Sequence, residues 1–585
     1  MEKRIGIISY IVFIVCGLFL LRLWELQIIK GELHRNLTER NRLRDIYIPA
    51  PRGIIYDRNH NPLVNNVISF DVSIIKENFS DDTEKIEALA KLLHISPEEI
   101  ERRINSDSYG PFEPVKIKQD VLFDEVAMIE ARRYELPGVI VETVVRRDYP
   151  YGDLASHVIG YLGYMTPAQV MEPQYTGIPK TTLIGQSGVE KAYDSLLRGK
   201  PGRRIVEVDA LGRMVKMVGT EDPVKGDDIT LTIDINIQQV AEEGLYGKNG
   251  AVVVLDTRTG EVLAMASSPS FDPNLFATGI TYSDWSVLVN DPDKPLLNRA
   301  IQGLYPPGST FKIVTAIAGL EEGIINETTT YVCNGGMDMG GRRFRCWRDG
   351  GHGSVDFYRA VAQSCDVYFY NVGKRLGIDR IEKYAKMFGL GSPTGIEIDG
   401  EKTGIVPSVE WKLKKTGQAW YAGETINTAI GQGYLTATPL QMARLVSAVV
   451  NGGRLYRLHL LKDSPPEIER TINIRQENEY LLRRALMGVV EDGGTGRLAY
   501  SRVVRIGGKT GTAQASGNKK DHAWFVAFAP EESPEVAVSV LIEHGGHGGA
   551  VAAPIAKDVI ETFFGAMQGE RGEGGDRLLE GNDYD

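Results

Sequence analysis

Three short stretches hold the residue types that acyl transfer needs. In "LYPPGSTFKIVTAIAGLEEG", residues 304–323, Ser309 follows Pro-Pro-Gly and stands three places before Lys312, at the head of an apolar run. Residues three apart lie on one face of a helix, so Ser309 Oγ and Lys312 Nζ are expected to meet. A serine at a helix N-terminus has free backbone N–H groups and the positive dipole end beside it, which suit a developing oxyanion. A lysine drawn into an apolar site is harder to protonate and can act as a base toward that serine. Ser-x-x-Lys alone is common by chance. Here it is followed in order by Ser364 and Asp366 in "QSCDVYFYNVG" and by Lys509, Thr510, Gly511 and Thr512 in "GGKTGTAQ", with separations of 55 and 145 residues. That order reproduces the Ser-x-x-Lys, Ser-x-Asp/Asn, Lys-Thr-Gly series of serine acyltransferases.

A second cluster concerns metal or redox chemistry. Cys333, Cys346, His352 and Cys365 form C-x12-C-x5-H-x12-C, a complete Cys₃His set for tetrahedral zinc. The spacing belongs to no familiar finger. A Cys333–Cys346 disulfide is the alternative for a chain exposed to an oxidising compartment, and it leaves Cys365 as a free thiol inside the second catalytic stretch. Three free thiols are the remaining possibility. The intervening "NGGMDMGGRRFRCWRDGGHGS" is Gly-rich and needs a cross-link to order it. Because Ser364 and Asp366 flank Cys365, a metal here would hold the catalytic loop in place and take no part in the chemistry.

The elements that must position these residues are legible in outline. "GAVVVLDTRTGEVLAMASSPS" reads as a hairpin, and "RVVRIGGKTGTAQ", "HAWFVAFAP" and "VAVSVLIEHGG" as three further strands, with a helix-rich middle between and "APIAKDVIETFF" as a last helix. Strands at both ends of a helical segment imply an α+β fold with one antiparallel sheet gathered from distant parts of the chain. Before it, "HISPEEIERRI" predicts a helix capped by Ser96, with Pro97 at its first position and Glu99 completing a capping box. "PRGIIYDRNHNP" (51–62) and "GQSGVEKAYDSLLRGKPG" (185–202) read as ordered turns and loops, packing elements in preference to a partner surface.

At 585 residues the chain requires more than one domain, and 42% hydrophobic with 24% charged residues is an ordinary globular balance. A formal charge of −11, with no basic stripe interleaved by aromatics, argues against nucleic acid as a partner. Ile5–Leu21 is 17 residues without a charge, preceded by Lys3 and Arg4 and followed by Arg22 and Trp24. With no small-x-small cleavage site after it, this reads as an uncleaved single membrane anchor that leaves the remainder extracytoplasmic. The expected divisions are 1–25 as tail and anchor, 26–225 as a non-catalytic module, 226–567 as the catalytic domain, and 568–585 as a disordered acidic tail.

The motifs, together with "RGIIYDRN", "YPYGDLASHVIGYLGY", "NRAIQGLYPPGSTFK", "GLGSPTGIEIDGEKTGIVPS" and "AIGQGYLTATPLQMA", resemble class B penicillin-binding proteins over nearly the whole chain. They are most similar to the elongation-type group, penicillin-binding protein 2. Asp366, where division-type relatives usually carry Asn, favours that group. The resemblance implies a pedestal module of the dimerisation type and a transpeptidase domain that cross-links peptidoglycan during lateral wall elongation and cell-shape maintenance at the inner membrane. Ser309 would attack the penultimate D-alanine carbonyl of a stem peptide, with Lys312 taking its proton and Ser364 relaying one to the leaving group. Lys509 would orient that serine and attract the substrate carboxylate, and the backbone N–H groups of Ser309 and Thr512 would form the oxyanion hole. An amine acceptor resolves the acyl-enzyme, and β-lactams trap it. A SEDS-type glycan polymerase and rod-complex scaffold proteins are the implied partners. Zn²⁺ in the Cys/His loop is also implied, though the acyl transfer itself needs no cofactor. A serine β-lactamase and a β-lactam-sensing receptor are the alternatives, disfavoured by the long module before the catalytic domain and by the few residues ahead of the anchor.

Overall fold

The computed structural model describes residues 2–30, 43–77, 79, 83–105, 114–180, 182–209, 214–491, 493–515, 517 and 519–576. The apolar N-terminal segment forms a helix, Glu2–Trp24, continued by a π-helical turn Glu25–Ile29. The span Tyr10–Ile29 is long and apolar enough to cross a membrane, and none of it is buried against the rest of the protein. The apolar stretch therefore reaches past Arg22, which pairs with Glu25 one turn on.

Two larger sheets and a two-stranded one, Leu162–Tyr164 with Leu183–Gly185, build the described part of the non-catalytic module. One has the order Leu43–Ile48, Gly202–Val208, Met214–Glu221. In the other the long strand Pro62–Ile75 pairs with Pro114–Lys118 and Val139–Asp148 and reaches Ile229–Thr230 through Ile55–Tyr56. The helices Thr83–Leu93 and Pro97–Ile104 cover the far end of that strand around Ile74, Leu89 and Ile100. Ser96 accepts from the Glu99 N–H as expected. The reciprocal half of the capping box is replaced, because the Glu99 carboxylate turns outward to Arg102 and Arg103.

The stretches 51–62 and 185–202 meet in the interior, and the second contains two short helices, Gly188–Ala192 and Asp194–Leu197, where turns were expected. Glu190 is fully buried and receives Arg52 Nη2 at 2.7 Å and Arg147 Nε at 2.7 Å, while Arg52 Nη1 reaches Asp194 at 3.0 Å. Burial is the largest single influence on the Glu190 carboxyl and pushes it up, but the Arg147 and Arg52 guanidiniums together outweigh it and hold the carboxyl below the usual range. Charges taken out of water this completely are tolerated only when each is paired. The packing reading of both stretches is the one observed.

The catalytic half is the expected α+β arrangement. Its five-stranded antiparallel sheet runs Val262–Ser268, Gly250–Asp256, Val536–Ile542, His522–Ala529, Gly507–Ala513. Gly250–Asp256 and Val536–Ile542 are buried along their whole length. Ala251, Val253 and Leu255 pack with Leu440 and Ala443 of the helix Pro439–Val450, whereas Val252 and Val254 share a core with Ala241 and Ile555. Helices cover both faces, so these strands read as continuous apolar runs instead of alternating ones. Gly507–Ala513, which carries the Lys-Thr-Gly motif, is the edge strand facing the helical subdomain. The last helix, Ala553–Asp576, continues through residues 568–576. The helix thus enters the expected tail, 568–585, of which 577–585 lie outside the described residues.

Candidate active site

Ser309 sits in a 3₁₀ turn, Gly308–Phe311, that runs directly into the helix Lys312–Glu321. The turn is fixed against the edge strand and the segment around Gly431. Gly308 has φ 54°, a Cβ there would lie 2.8 Å from Thr512 O, and its N–H donates to Gly431 O at 2.9 Å. Only glycine allows this approach. The Ser309 N–H donates to no carbonyl or side chain among the described residues, as expected of an N-terminal amide. Ser309 is half-buried and opens on a cleft of about 1090 Å³ whose lining includes Ser364, Asp366, Thr510, Gly511 and Thr512.

Lys312 is where the geometry departs from the expected pairing. Its Nζ donates to Ser364 O at 2.9 Å, Ser364 Oγ at 3.2 Å and Asp366 Oδ1 at 2.6 Å. Among the described residues no hydrogen bond joins it to Ser309. The apolar pocket thus contains a carboxylate, and a buried ammonium pairs with the nearest anion before it pairs with a neutral hydroxyl. Ser364 adopts the left-handed conformation, φ 54°, which aims its carbonyl and its hydroxyl at one amine. For a residue with a Cβ this costs about 1–2 kcal/mol.

Lys509 is fully buried, and its only described hydrogen bond runs to Thr510 O at 3.1 Å. Burial, followed by repulsion from Lys312, drives its ammonium well below the ordinary lysine range, and Asp366 offsets part of this. Thr510 Oγ1 lies 2.7 Å from Thr495 Oγ1, and Gln432 Nε2 donates to Thr512 O at 3.3 Å. Sequence reasoning missed Thr495 and Gln432. The glycines around Thr495 in "EDGGTGR" and around Gln432 in "AIGQGY" were the available signal.

The four metal-ligand candidates are gathered as well. Cys333, Cys346, His352 and Cys365 are all buried, with ligand atoms within 4.8 Å of one another. His352 Nδ1 lies 3.6 Å from both Cys333 Sγ and Cys346 Sγ. Zn–S of ~2.3 Å and Zn–N of ~2.0 Å place tetrahedral S and N donors about 3.5 Å apart, so the donors present fit a zinc ion. No disulfide joins Cys333 and Cys346. A hydrogen bond from Cys365 holds the Cys346 thiol below its ordinary range, and the same bond pushes Cys365 up.

This loop touches the Lys312–Asp366 pair directly. The Trp347 N–H, adjacent to Cys346, donates to Asp366 Oδ2 at 2.9 Å, so the two Asp366 oxygens are divided between the loop and Lys312. The same loop supplies what composition hid. "RRFRCWR", residues 342–348, is a short basic run interleaved with aromatics in an otherwise acidic chain, and it lines the cleft.

A serine at a helix start, a buried lysine hub and a Lys-Thr-Gly edge strand are the arrangement of a serine-type acyltransferase of the penicillin-binding fold. The penicillin-binding protein transpeptidase domain family matches residues 250–561, and the penicillin-binding protein dimerisation domain family matches 47–231. The peptidoglycan D,D-transpeptidase MrdA of Acinetobacter baumannii is 38% identical over 96% of this chain and 88% of its own. Its counterpart in Escherichia coli is 36% identical over 92% and 90%. Among solved structures, the complex of PBP2 with MreC from Helicobacter pylori superposes with TM-score 0.79 at 31% identity, covering 88% of this chain and 98% of that one. A peptidoglycan synthase complex solved for its coordination of polymerization and crosslinking gives TM-score 0.74 at 33% identity over 96% and 98%. The chain belongs to the penicillin-binding proteins of the PBP2 group, the peptidoglycan D,D-transpeptidases. These relatives are wall-building enzymes, and the β-lactamase and receptor readings are not favoured.

Proposed function

We propose that Ser309 carries the transpeptidation. Its Oγ adds to the carbonyl of the penultimate D-alanine of a donor stem peptide. The oxyanion is received by the Ser309 and Thr512 N–H groups, and the terminal D-alanine leaves as an amine protonated through Ser364. As the new bond forms, Lys312 gives a proton across 3.2 Å to Ser364 Oγ, whose own hydrogen goes to the leaving nitrogen, and the amine so freed takes the Ser309 proton when the side chain turns toward it in the substrate complex. Catalytic hydrogen bonds commonly tighten only when substrate is bound. Thr510 and Gly511 line the path of the donor's terminal carboxylate, which Lys509, buried in the same strand, attracts, and Asp366 positions Lys312. An acceptor amine then attacks the acyl-enzyme and releases Ser309. The observation that carries this reading is the convergence of Ser364 and Asp366 on one lysine amine, three residues from a serine that opens on the cleft.

The remaining assignments follow as proposals. Residues 1–25 anchor the chain in the inner membrane, 26–225 form the pedestal, and 226–567 form the transpeptidase domain in the extracytoplasmic space. A SEDS-type glycan polymerase and scaffold proteins comparable to the MreC of the Helicobacter complex bind outside the cleft. Zn²⁺ is held by Cys333, Cys346, His352 and Cys365, where it neutralises thiolates and cross-links the loop that bears Trp347. Elemental analysis of protein purified without reductant tests this. One zinc per chain, lost in Cys346→Ser, is expected, and absence of zinc from the wild type would remove the proposal.

The decisive test for Ser309 is the denatured intact mass of the detergent-solubilised chain at intervals after addition of benzylpenicillin. A single adduct on Ser309 lasting many minutes is expected. An adduct that disappears as drug is consumed would mean a β-lactamase, and no adduct would refute Ser309 as nucleophile.

A further inference from the structure

The chain reaches Ser309 through two consecutive prolines, and this restricts how the Ser309 turn can be fastened. Pro306 and Pro307 have no N–H to donate, so the approach must be held by its carbonyls, its side chains and the residues to either side. On one flank, Tyr305 exchanges backbone hydrogen bonds with Ala437 at 3.1 and 2.9 Å, and the Gly308 N–H donates to Gly431 O. Pro307 O accepts from Thr310 Oγ1 at 2.7 Å, inside the turn itself. From the sheet, on the other flank, one hydrogen bond among the described residues reaches the backbone of 305–309: Trp524 Nε1 donates to Pro306 O at 3.0 Å.

Trp524 is fully buried on the strand His522–Ala529, where it faces Gly511 of the edge strand across the ladder. The fit is close: a Cβ on Gly511 would lie 2.9 Å from Trp524 Cβ and 3.0 Å from Pro307 O. Thr512, the next residue, accepts from Gln432 Nε2 through its carbonyl, off the sheet. The N–H and C=O of one strand residue point to the same side, so the Thr512 N–H also leaves the sheet, toward the cleft that Thr512 lines. Tyr305 packs its ring edge against Trp524, with centroids 6.3 Å apart, and its Oη donates to Glu543 Oε1 at 2.6 Å. One side chain thus spans two elements. Its backbone is in register with the strand that carries Thr512, and its indole N–H holds the chain three residues before Ser309. A bicyclic ring packed on all sides has one length, so it fixes this separation as a flexible side chain would not.

We propose that Trp524 is a positioning residue for the acyl transfer, its indole N–H setting the spacing between the Ser309 and Thr512 N–H groups that receive the oxyanion. This rests on the Ser309 acyl-enzyme reading. Trp524 touches no reacting atom and acts through the Pro306 carbonyl. When that bond is removed, Ala437 and Gly431 still hold the turn from the opposite flank, so the turn retreats toward them and the Ser309 N–H moves away from that of Thr512. Both donors must lie about 2.7–3.1 Å from the oxyanion to stabilise it. Losing one such donor outright costs about 10²–10³ in rate, and displacing it by less than about 1 Å is expected to cost about thirtyfold.

The test uses the full-length chain in detergent and follows benzylpenicillin acylation by rapid-quench mass over a range of drug concentrations. This separates the dissociation constant of the first complex from the acylation rate constant. Two variants are compared with wild type. One is Trp524→Phe. The other carries β-(3-benzothienyl)alanine at position 524, a bicycle of the indole's shape with sulfur in place of the N–H, which decides the matter if the phenylalanine variant does not fold. Both are expected to acylate about thirtyfold more slowly, with the dissociation constant within about twofold of wild type. A phenylacetamidomethyl boronic acid, whose tetrahedral adduct on Ser309 places an oxygen between the two N–H groups, should lose affinity by a comparable factor. Acylation of the benzothienyl variant within about threefold of wild type would overturn the assignment, as would a loss confined to the dissociation constant. So would slower acylation with undiminished affinity for the boronic acid. A wild-type chain that forms no penicillin adduct on Ser309 marks failure of the acyl-enzyme reading instead.

Discussion

Asp366→Asn probes the hub of the site. Asp366 Oδ1 receives Lys312 Nζ at 2.6 Å and Oδ2 receives the Trp347 N–H at 2.9 Å, with the Lys312 side chain 1% and the Asp366 side chain 10% exposed. Both oxygens are acceptors in use. An asparagine offers one acceptor and two donors, so it must turn its NH₂ toward either the ammonium or the Trp347 N–H, and it removes the charge that Lys312 pairs with. Leaving one partner of a buried ion pair alone costs about 3–5 kcal/mol, and the orphaned donor adds about 1–3 kcal/mol if it stays dry. Relaxation and water entry reduce the sum, so about 3 kcal/mol is the expected loss. With a urea m-value of about 3 kcal/mol/M, that is a midpoint shift of about 1 M for the transition reporting the transpeptidase domain. Acylation should suffer too, because Lys312 loses the contact that holds it beside Ser364. A fall of about a hundredfold in the second-order rate with benzylpenicillin corresponds to ~2.7 kcal/mol. The tie to Trp347 is a further reason why this chain should not tolerate the exchange. An unchanged urea midpoint together with acylation within about threefold of wild type would refute the claim that Asp366 positions Lys312.

Three further outcomes are expected. Ser309→Ala should abolish the penicillin adduct while shifting stability by no more than about 1 kcal/mol, since Ser309 Oγ makes no hydrogen bond among the described residues; a large loss of stability would show that the serine is structural. Glu190→Gln should destabilise the pedestal by about 3–5 kcal/mol by leaving Arg52 and Arg147 buried around a neutral amide, read as an earlier denaturant transition with the transpeptidase transition retained. His157 should make the fold acid-sensitive. Burial, and secondarily Arg299, lowers its imidazole to about 4 from 6.5, and the Pro295 carbonyl, 2.8 Å away, opposes this. The unfolded chain takes up this proton below pH 6.5 and the folded chain only near pH 4. The cost is therefore absent above pH 6.5 and grows to about 3 kcal/mol as pH falls to 4. His157→Gln, which can still donate to Pro295, should lose less stability than wild type between pH 7 and 4.5; equal losses would refute the assignment.

How far the molecule is legible in its sequence differs from element to element. The strands Gly250–Asp256 and Val262–Ser268 and the three C-terminal strands could be read directly, because an apolar run bounded by turn residues is a local signal. Ser309, Lys312, Ser364, Asp366 and Lys509 were found by order and spacing. So was the Cys₃His set, because residue type limits what can bind a metal. Each of these is a property of residue type and chain position, and the sequence by itself determined them. The partner of Lys312 was not among them. Helical spacing pointed to Ser309, but the amine goes to Asp366 and Ser364, 54 and 52 positions away. That choice depends on a left-handed turn at Ser364 and on the helix Asp366–Leu376 packing beside the helix Lys312–Glu321. Likewise, "RRFRCWR" read only as part of a glycine-rich loop needing a cross-link, and neither its place on the cleft wall nor the bond from Trp347 to Asp366 could be seen in the sequence. Only the tertiary structure could decide these points, because the energy of a buried charge depends on which groups surround it, and that is set by segments far apart in the chain.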